Sequence, residues 1–250
     1  MITSRVPADW RALQADVAQV LRECGFIAEI EKKIETVRGS VTVDVYAEET
    51  VRGRPNLILC ECKLWRSRVP QAVVHGFRNV VTDSGANIGY IVSTAGFQAG
   101  AFAAADRSNV RLVTWEGFQA EFEQSWIDHF FLPEITERLD ALFSHTEPLI
   151  PRVFDDLSDE DQAAYLQLRD RYEAFGWLMT MFTTRAVEWR PMPQLPIRHR
   201  APEQMVPQLD HMPAEVVDAA TYREFLEAAL RHGQAAIAAF RAVLRRSGAQ

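Results

Sequence analysis

Three side chains combine type and spacing in a way that suggests chemistry: Asp44 within VTVDVYAEE (41–49), and Glu61 with Lys63 within LILCECKLW (57–65). Both stretches carry the alternating or continuous apolar pattern of strands that need burial. An ionised carboxylate in such a strand is costly unless it is paired or bound to a metal. Glu61 and Lys63, two residues apart on one strand, share a face with Leu57 and Leu59 further back. If the strand bearing Asp44 lies alongside, two carboxylates and one ammonium meet at one end of a sheet. Mg²⁺, with Mn²⁺ as a substitute, takes one or two protein carboxylates and completes its shell with water and phosphate oxygens. A cation held there would stabilise charge on a phosphate and lower the pKa of bound water, and Lys63 would position that water and offset negative charge. Lys32, Lys33 and Lys63 are the only lysines in an otherwise all-arginine basic set, and of the two side chains only lysine can lose its proton at accessible pH. Spacing alone leaves a second reading level with the first: Lys63 paired with Glu61 or Asp44 as a buried ion pair that holds the sheet together.

The elements that must position these groups are legible from periodicity. Trp10, Leu13, Val17, Val20, Leu21 and Cys24 form the stripe of a helix over about 8–24 that Gly25 stops. Strand patterns follow at about 26–36, 40–47 and 57–64, separated by the turn signals Arg38-Gly39 and Arg52-Gly53. A helix over 71–84, a buried strand over 88–93, an alanine-rich helix over 98–106 and a short strand over 110–113 come next. A largely helical stretch from Trp115 towards Phe143, interrupted near Pro133, completes an α/β domain over 1–147: a mixed central sheet flanked by helices. Beyond Pro148 the strand patterns vanish. Ser158 caps a helix carrying Tyr165, Leu168, Tyr172, Phe175, Met179 and Phe182, and a last helix carries Leu226, Leu230, Ile237, Phe240 and Leu244. Between them Pro191, Pro193, Pro196, Pro202, Pro207 and Pro213 predict a non-helical connection over about 190–213. Residues 148–250 therefore read as a helical C-terminal domain.

At 250 residues and 48% hydrophobic content the chain can bury a full core without staples. Cys24, Cys60 and Cys62 are an odd set, two of them inside one apolar run, and read as reduced thiols of a cytoplasmic protein rather than a zinc site. No stretch approaches the roughly 18 apolar residues of a membrane span, and no secretory leader is evident. The net charge of −7 argues against a generic nucleic-acid binder. Net charge is an average, however: from Lys63 to Thr82 there is no Asp or Glu, while Lys63, Arg66, Arg68 and Arg78 all fall there.

Asp44, sixteen intervening residues and then Glu61-Cys62-Lys63 resemble the PD-(D/E)xK nuclease signature. The flanks resemble its Mrr-type restriction endonuclease branch: LQADVAQVLRECGF the first family helix, ECKLWRSRV the catalytic strand and its exit, GANIGYIVSTAGFQAGAFAAA the later strand, loop and helix. The similarity spans about Trp10 to Phe118 in the order αβββαβ. It implies a restriction-endonuclease-like fold, Asp44 and Glu61 as metal ligands, the main-chain carbonyl of Cys62 as a third, and Lys63 as the catalytic lysine. Gln14 falls where many relatives carry a helix glutamate; being neutral, it would hold a second cation poorly. Val43 replaces the proline that usually precedes the first acid.

Around this centre Gln71, at the start of its helix, is an auxiliary candidate, with helix capping as its plain alternative. Arg66, Arg68 and Arg78 are candidate phosphate contacts, joined by Ser93, Thr94 and Gln98 along a possible phosphate path. His75 reads as a DNA contact or plain surface. Trp115, Trp126, Trp177 and Trp189 read as core. The function this predicts is a metal-dependent DNA endonuclease in restriction or anti-phage defence. Two alternatives stand beside it: a DNA-binding or assembly module activated by a partner, and a repair or recombination nuclease. The stripe on the last helix predicts either a homo-oligomer interface or packing within the chain.

Overall fold

A computed structural model describes residues 1–183, 192–200 and 206–246. The chain divides into two compact units, Arg5–His129 with Met1, and Ile2–Ser4 with the residues from Phe130 onward. This division and the boundary read from sequence at 147/148 differ by one helix, α5 below. Among the described residues no helix is long and apolar enough to cross a membrane.

The first unit is an α/β layer structure with a five-stranded sheet in the order β1-β2-β3-β4-β5. Its elements are α1 (Trp10–Glu23), β1 (Ile27–Thr36), β2 (Gly39–Val51), β3 (Arg54–Lys63), α2 (Gln71–Ser84), β4 (Ile88–Ser93), α3 (Ala99–Ala105), β5 (Val110–Thr114) and α4 (Trp115–Trp126). Two antiparallel hairpins link β1, β2 and β3, and two parallel crossovers through α2 and α3 add β4 and β5. The sheet is therefore mixed. Asp9 caps α1, its carboxylate accepting the Ala12 N–H at 2.8 Å. Strand β2 runs four residues past the expected Ala47, because Glu48 to Val51 extend a hairpin closed by Arg52 and Gly53, both at positive φ (51° and 78°). That pair suits a two-residue turn matching the strand twist.

Helix α1 packs on β1, β2 and β3, and α4 on β4 and β5, with the Tyr90 ring 5.6 Å from both Phe118 and Phe122. The other face is covered by α2 and α3, where Leu59, Ile91, Val74, Phe77, Val81, Ala101 and Ala104 form one buried cluster. Gly89 on β4 lies directly beneath α2: a Cβ there would stand 2.5 Å from Val81 Cγ2 and 2.8 Å from Phe77 Cε1.

The second unit is helical. A π-helical turn, Ile127–Phe131, leads into α5 (Leu132–Thr146), so the expected interruption falls just before Pro133, in the first turn where proline is tolerated. Then come α6 (Asp159–Thr183), α7 (Val206–Leu209), α8 (Ala214–Val217) and α9 (Tyr222–Arg246). Ser158 caps α6 through the Asp161 N–H at 3.2 Å. The proline-rich connection is not free of helix as expected. Pro196 and Pro213 immediately precede short helical turns and Pro207 lies in the first turn of α7, positions that need no amide proton. Pro191 and Pro202 lie outside the described residues. Leu226, Leu230, Ile237 and Phe240 of α9 are buried within this unit, where α9 packs on α5 and α6. That stripe is consumed inside the chain. Trp115 and Trp126 are buried as expected, whereas Trp177 is 54% exposed, sharing an outward face of α6 with Leu166, Asp170 and Met181. Trp189 lies outside the described residues.

His145 accepts or donates a hydrogen bond with the Tyr165 hydroxyl at 2.9 Å and stacks on Phe240, with ring centroids 4.5 Å apart. Burial, reinforced by the Arg241 charge, holds its pKa below the ordinary value; burial and the Arg171 charge do the same for His232 against the opposing effect of Glu215.

Two stability predictions arise. Gly89→Ala lowers the stability of the first unit by about 1–3 kcal/mol, the ordinary cost of overpacking a close-packed core, read from the urea midpoint. In the second unit the unfolded chain takes up protons on these histidines more readily than the folded one. Their contribution is therefore intact above the ordinary histidine range near pH 6.5 and is lost as pH falls through it. Thermal unfolding followed down to about pH 5.5 should show the midpoint fall, with a shallower slope in His145→Gln.

Candidate functional site

Strand β3 brings Glu61 and Lys63 to one face, and Lys63 Nζ donates to Glu61 Oε1. Both side chains are mostly covered, at 25% and 17% exposure. Asp44 comes from β2 by a break in the sheet. The β2–β3 ladder runs from Val51↔Arg54 to Val45↔Cys60 and stops one step before Asp44 and Glu61 would stand opposite each other. The Cys62 N–H, released from that ladder, donates to Asp44 Oδ2 at 2.7 Å. On the other side β3 stays paired with β4 as far as Lys63↔Ser93, and the Thr94 N–H donates to the Lys63 carbonyl at 3.2 Å.

The distortion extends into β1. Glu31, opposite Asp44 by register, adopts φ 51° and drops out of an otherwise continuous ladder. Val41 and Val43 then pack in the same α2–α3 core cluster as Tyr46. A regular two-residue repeat cannot send odd and even positions to one face. The inside and outside of β2 therefore exchange around Asp44, which is how an acid enters an apolar strand without sitting in the core.

The electrostatics are those of two crowded carboxylates and one cation. Burial and the Asp44 charge push the Glu61 carboxyl above the ordinary carboxylate range, against the hydrogen bond and charge of Lys63. Burial pushes the Cys62 and Cys60 thiols up as well. Among the described residues no group of three or more His, Cys, Asp or Glu side chains forms a metal cage. Two carboxylates are nevertheless a donor set that suits Mg²⁺, which keeps several waters and takes substrate oxygens.

The remaining candidates separate. Gln14 on α1 is 3% exposed, and its amide makes no hydrogen bond among the described residues. Gln71 is exposed and lies against α3, its Oε1 2.9 Å from where a Gly100 Cβ would be. Arg66 and Arg68 are exposed on the loop after β3 and form no ion pair among the described residues. Arg78 instead donates to the Ala104 carbonyl at 2.7 Å and closes the end of α3. Ser93 is fully buried, its hydroxyl spent on the Gly96 carbonyl and the Ala95 N–H, both at 3.2 Å. Thr94, Gln98 and His75 are exposed. Sequence reasoning passed over Trp65, whose ring centroid lies 5.4 Å from Lys63 Nζ. The available signal was an aromatic residue directly beyond the charged end of β3.

This geometry can hold a hard cation and place an ammonium beside it. Residues 7–121 match the family model Mrr_cat, a restriction endonuclease. That stretch, somewhat under half of the chain, encloses Asp44, Glu61 and Lys63, and the likeness to the Mrr-type branch of the PD-(D/E)xK superfamily holds for it. The first unit thus has a restriction-endonuclease-like fold, with residues 7–121 similar to that family. The crystal structure of AF1548, a protein of unknown function, is similar at 18% identity and a TM-score of 0.40, over 48% of this chain and 66% of that one. The chain spans just under two thirds of that protein's length. No curated protein matches the chain.

The hydrogen bond from Cys62 to Asp44 separates two variants of this site. Asp44→Ala strands a buried N–H and costs about 1–3 kcal/mol. Asp44→Asn keeps an acceptor while removing the repulsion from Glu61, so it is neutral or stabilising. Urea midpoints of the two variants, measured in EDTA, check this.

Proposed function

We propose that the first unit is a Mg²⁺-dependent endonuclease that hydrolyses DNA phosphodiester bonds. The observation that carries this reading is the meeting of Asp44, Glu61 and Lys63 at the point where β2 leaves β3. Asp44 and Glu61, with the Cys62 carbonyl, are the groups that would hold the cation. When bound, it supplies Lewis-acid stabilisation of the phosphate and a water of lowered pKa.

The chain's own residues do the rest. Burial first, and then the Asp44 charge, hold the Glu61 carboxyl above its ordinary range, and a cation beside it would favour its ionised form. Lys63 places an ammonium where negative charge grows on the phosphate during attack. The new P–O bond forms to water as the P–O bond to the leaving sugar oxygen breaks; the proton given up by water passes to the Glu61 carboxylate or to solvent, and the leaving sugar oxygen takes up a proton from solvent. The neutral amide of Gln14 adds a polar contact without the charge that would hold a second cation. Arg66 and Arg68, with Thr94, engage the phosphate backbone outside the reacting centre.

The family description favours restriction, and we extend it to defence against foreign DNA. The three free, buried thiols fit a cytoplasmic setting. The helical unit from residue 130 onward, α5 included, is proposed as a separate domain.

Incubating the full chain with plasmid DNA and Mg²⁺ or Mn²⁺ should give nicking or linearisation that EDTA abolishes. Lys63→Ala and Glu61→Gln should each reduce the rate at least about 100-fold, the scale of losing one preorganised charge at a reacting phosphate, while circular dichroism stays native. Cleavage by both variants at the parental rate rejects the site.

A further inference from the structure

Trp65 is 42% exposed although it follows directly on a strand whose end is largely covered. Its position is set from two directions. Its ring stands beside the reacting end of Lys63, the ammonium 5.4 Å from the centroid. Its loop is anchored by backbone pairing further on: the Val69 N–H donates to the Gly96 carbonyl and the Gln98 N–H to the Val69 carbonyl, both at 3.0 Å, with Val69 and Phe97 buried beneath. An indole 42% exposed leaves flat aromatic surface open to a ligand.

The charges around it select the partner. Arg66 and Arg68 are exposed on the same short loop, and no acid occurs between Lys63 and Thr82. An aromatic surface with an ammonium against it and two exposed cations next in sequence is a combination by which proteins hold nucleotides whose bases are out of the helical stack. A base paired inside a duplex presents only its edge and cannot lie flat on an indole. A purely apolar protein partner would not call for two arginines on the same loop.

We infer that Trp65 is a stacking site for an unpaired nucleobase next to the phosphate held at Asp44, Glu61 and Lys63, which makes single-stranded or locally unpaired DNA the preferred substrate of that centre. The inference rests on the nuclease reading for its consequence, but its first test does not need cleavage. Binding of a labelled oligothymidylate and of a fully paired duplex of equal length is measured by fluorescence anisotropy with the full chain in EDTA. The expected result is that Trp65→Ala weakens oligothymidylate binding about tenfold, the size of one lost base–aromatic stack, with a much smaller effect on the duplex, and that Trp65→Phe restores most of the loss. Equal loss on both DNAs, or no change on either, overturns the stacking site. With Mg²⁺ present, a gapped or bubble-containing duplex should be cut faster than the fully paired one, and Trp65→Ala should erase that difference; a preference that survives Trp65→Ala also overturns it. If no DNA is cut under any condition the nuclease reading fails, while the anisotropy result still decides Trp65.

Discussion

Two carboxylates held side by side in a mostly covered position are the constraint on which the rest of the first unit depends. Asp44 and Glu61 would face each other in a regular β2–β3 ladder, which would place two like charges directly opposite each other. The sheet avoids this by ending the pairing at Val45↔Cys60 and turning the Asp44 carboxylate onto the Cys62 N–H that the break releases. One hydrogen bond thus stands in for the lost ladder while leaving Glu61 to Lys63. The arrangement satisfies the backbone but not the charge: the Glu61 carboxyl stays above its ordinary range despite the ammonium beside it.

The cost of the break is spread through the neighbouring strands. Glu31 takes a left-handed conformation opposite Asp44, which for a residue other than glycine is disfavoured by roughly 1–3 kcal/mol. Beyond that point β1 and β2 exchange faces, so that Ile34, Val41 and Val43 reach the α2–α3 core while Val45 and Ala47 remain buried where α1 packs. The unbroken part of the sheet compensates. Strand β3 is parallel to β4 up to Lys63↔Ser93, and the Ser93 hydroxyl locks the following turn. Lys63 is therefore delivered by the rigid side of the break and Asp44 by the distorted side, a division that fixes the lysine and leaves the acid free to turn towards the partner it needs.

Elements with a strong local signature are legible in the sequence itself. Apolar residues every three or four positions locate α1 and α2 to within about two residues and show that α6 and α9 exist, and Arg52-Gly53 marks the β2–β3 turn. The site was legible because burial and charge conflict openly at Asp44, Glu61 and Lys63. What escaped were features that depend on tertiary neighbours. Nothing in VTVDVY reveals that its alternation reverses at Asp44, because the reversal is a property of three strands together. Ser93 looked like a free hydroxyl and is spent on its own turn, while Arg78 looked like part of a basic surface and closes α3. The α9 stripe could not disclose its partner, since periodicity says that a face is covered and never by what. Trp177 shows the converse, an aromatic residue that composition assigns to the core and helical phase turns outward.

The same distinction between average and local properties governs how an acidic chain can act on an acidic polymer. With a net charge of −7 the molecule as a whole repels DNA, although salt screens that repulsion beyond the Debye length, about 8–10 Å at physiological ionic strength. Local attraction is offered by the segment that leaves β3, where Lys63, Arg66 and Arg68 follow one another with no acid in between. A contact so limited can neutralise only a few phosphates, and affinity that comes from few phosphates is weak. Selectivity must then come from what the loop offers besides charge. Trp65 is the group on it that adds contact area without adding charge, and its place beside Lys63 ties that contact to the reacting centre. On this account low general affinity and a single aromatic platform are parts of one arrangement: the weaker the pull on ordinary duplex, the larger the share of binding that depends on a base being free to stack.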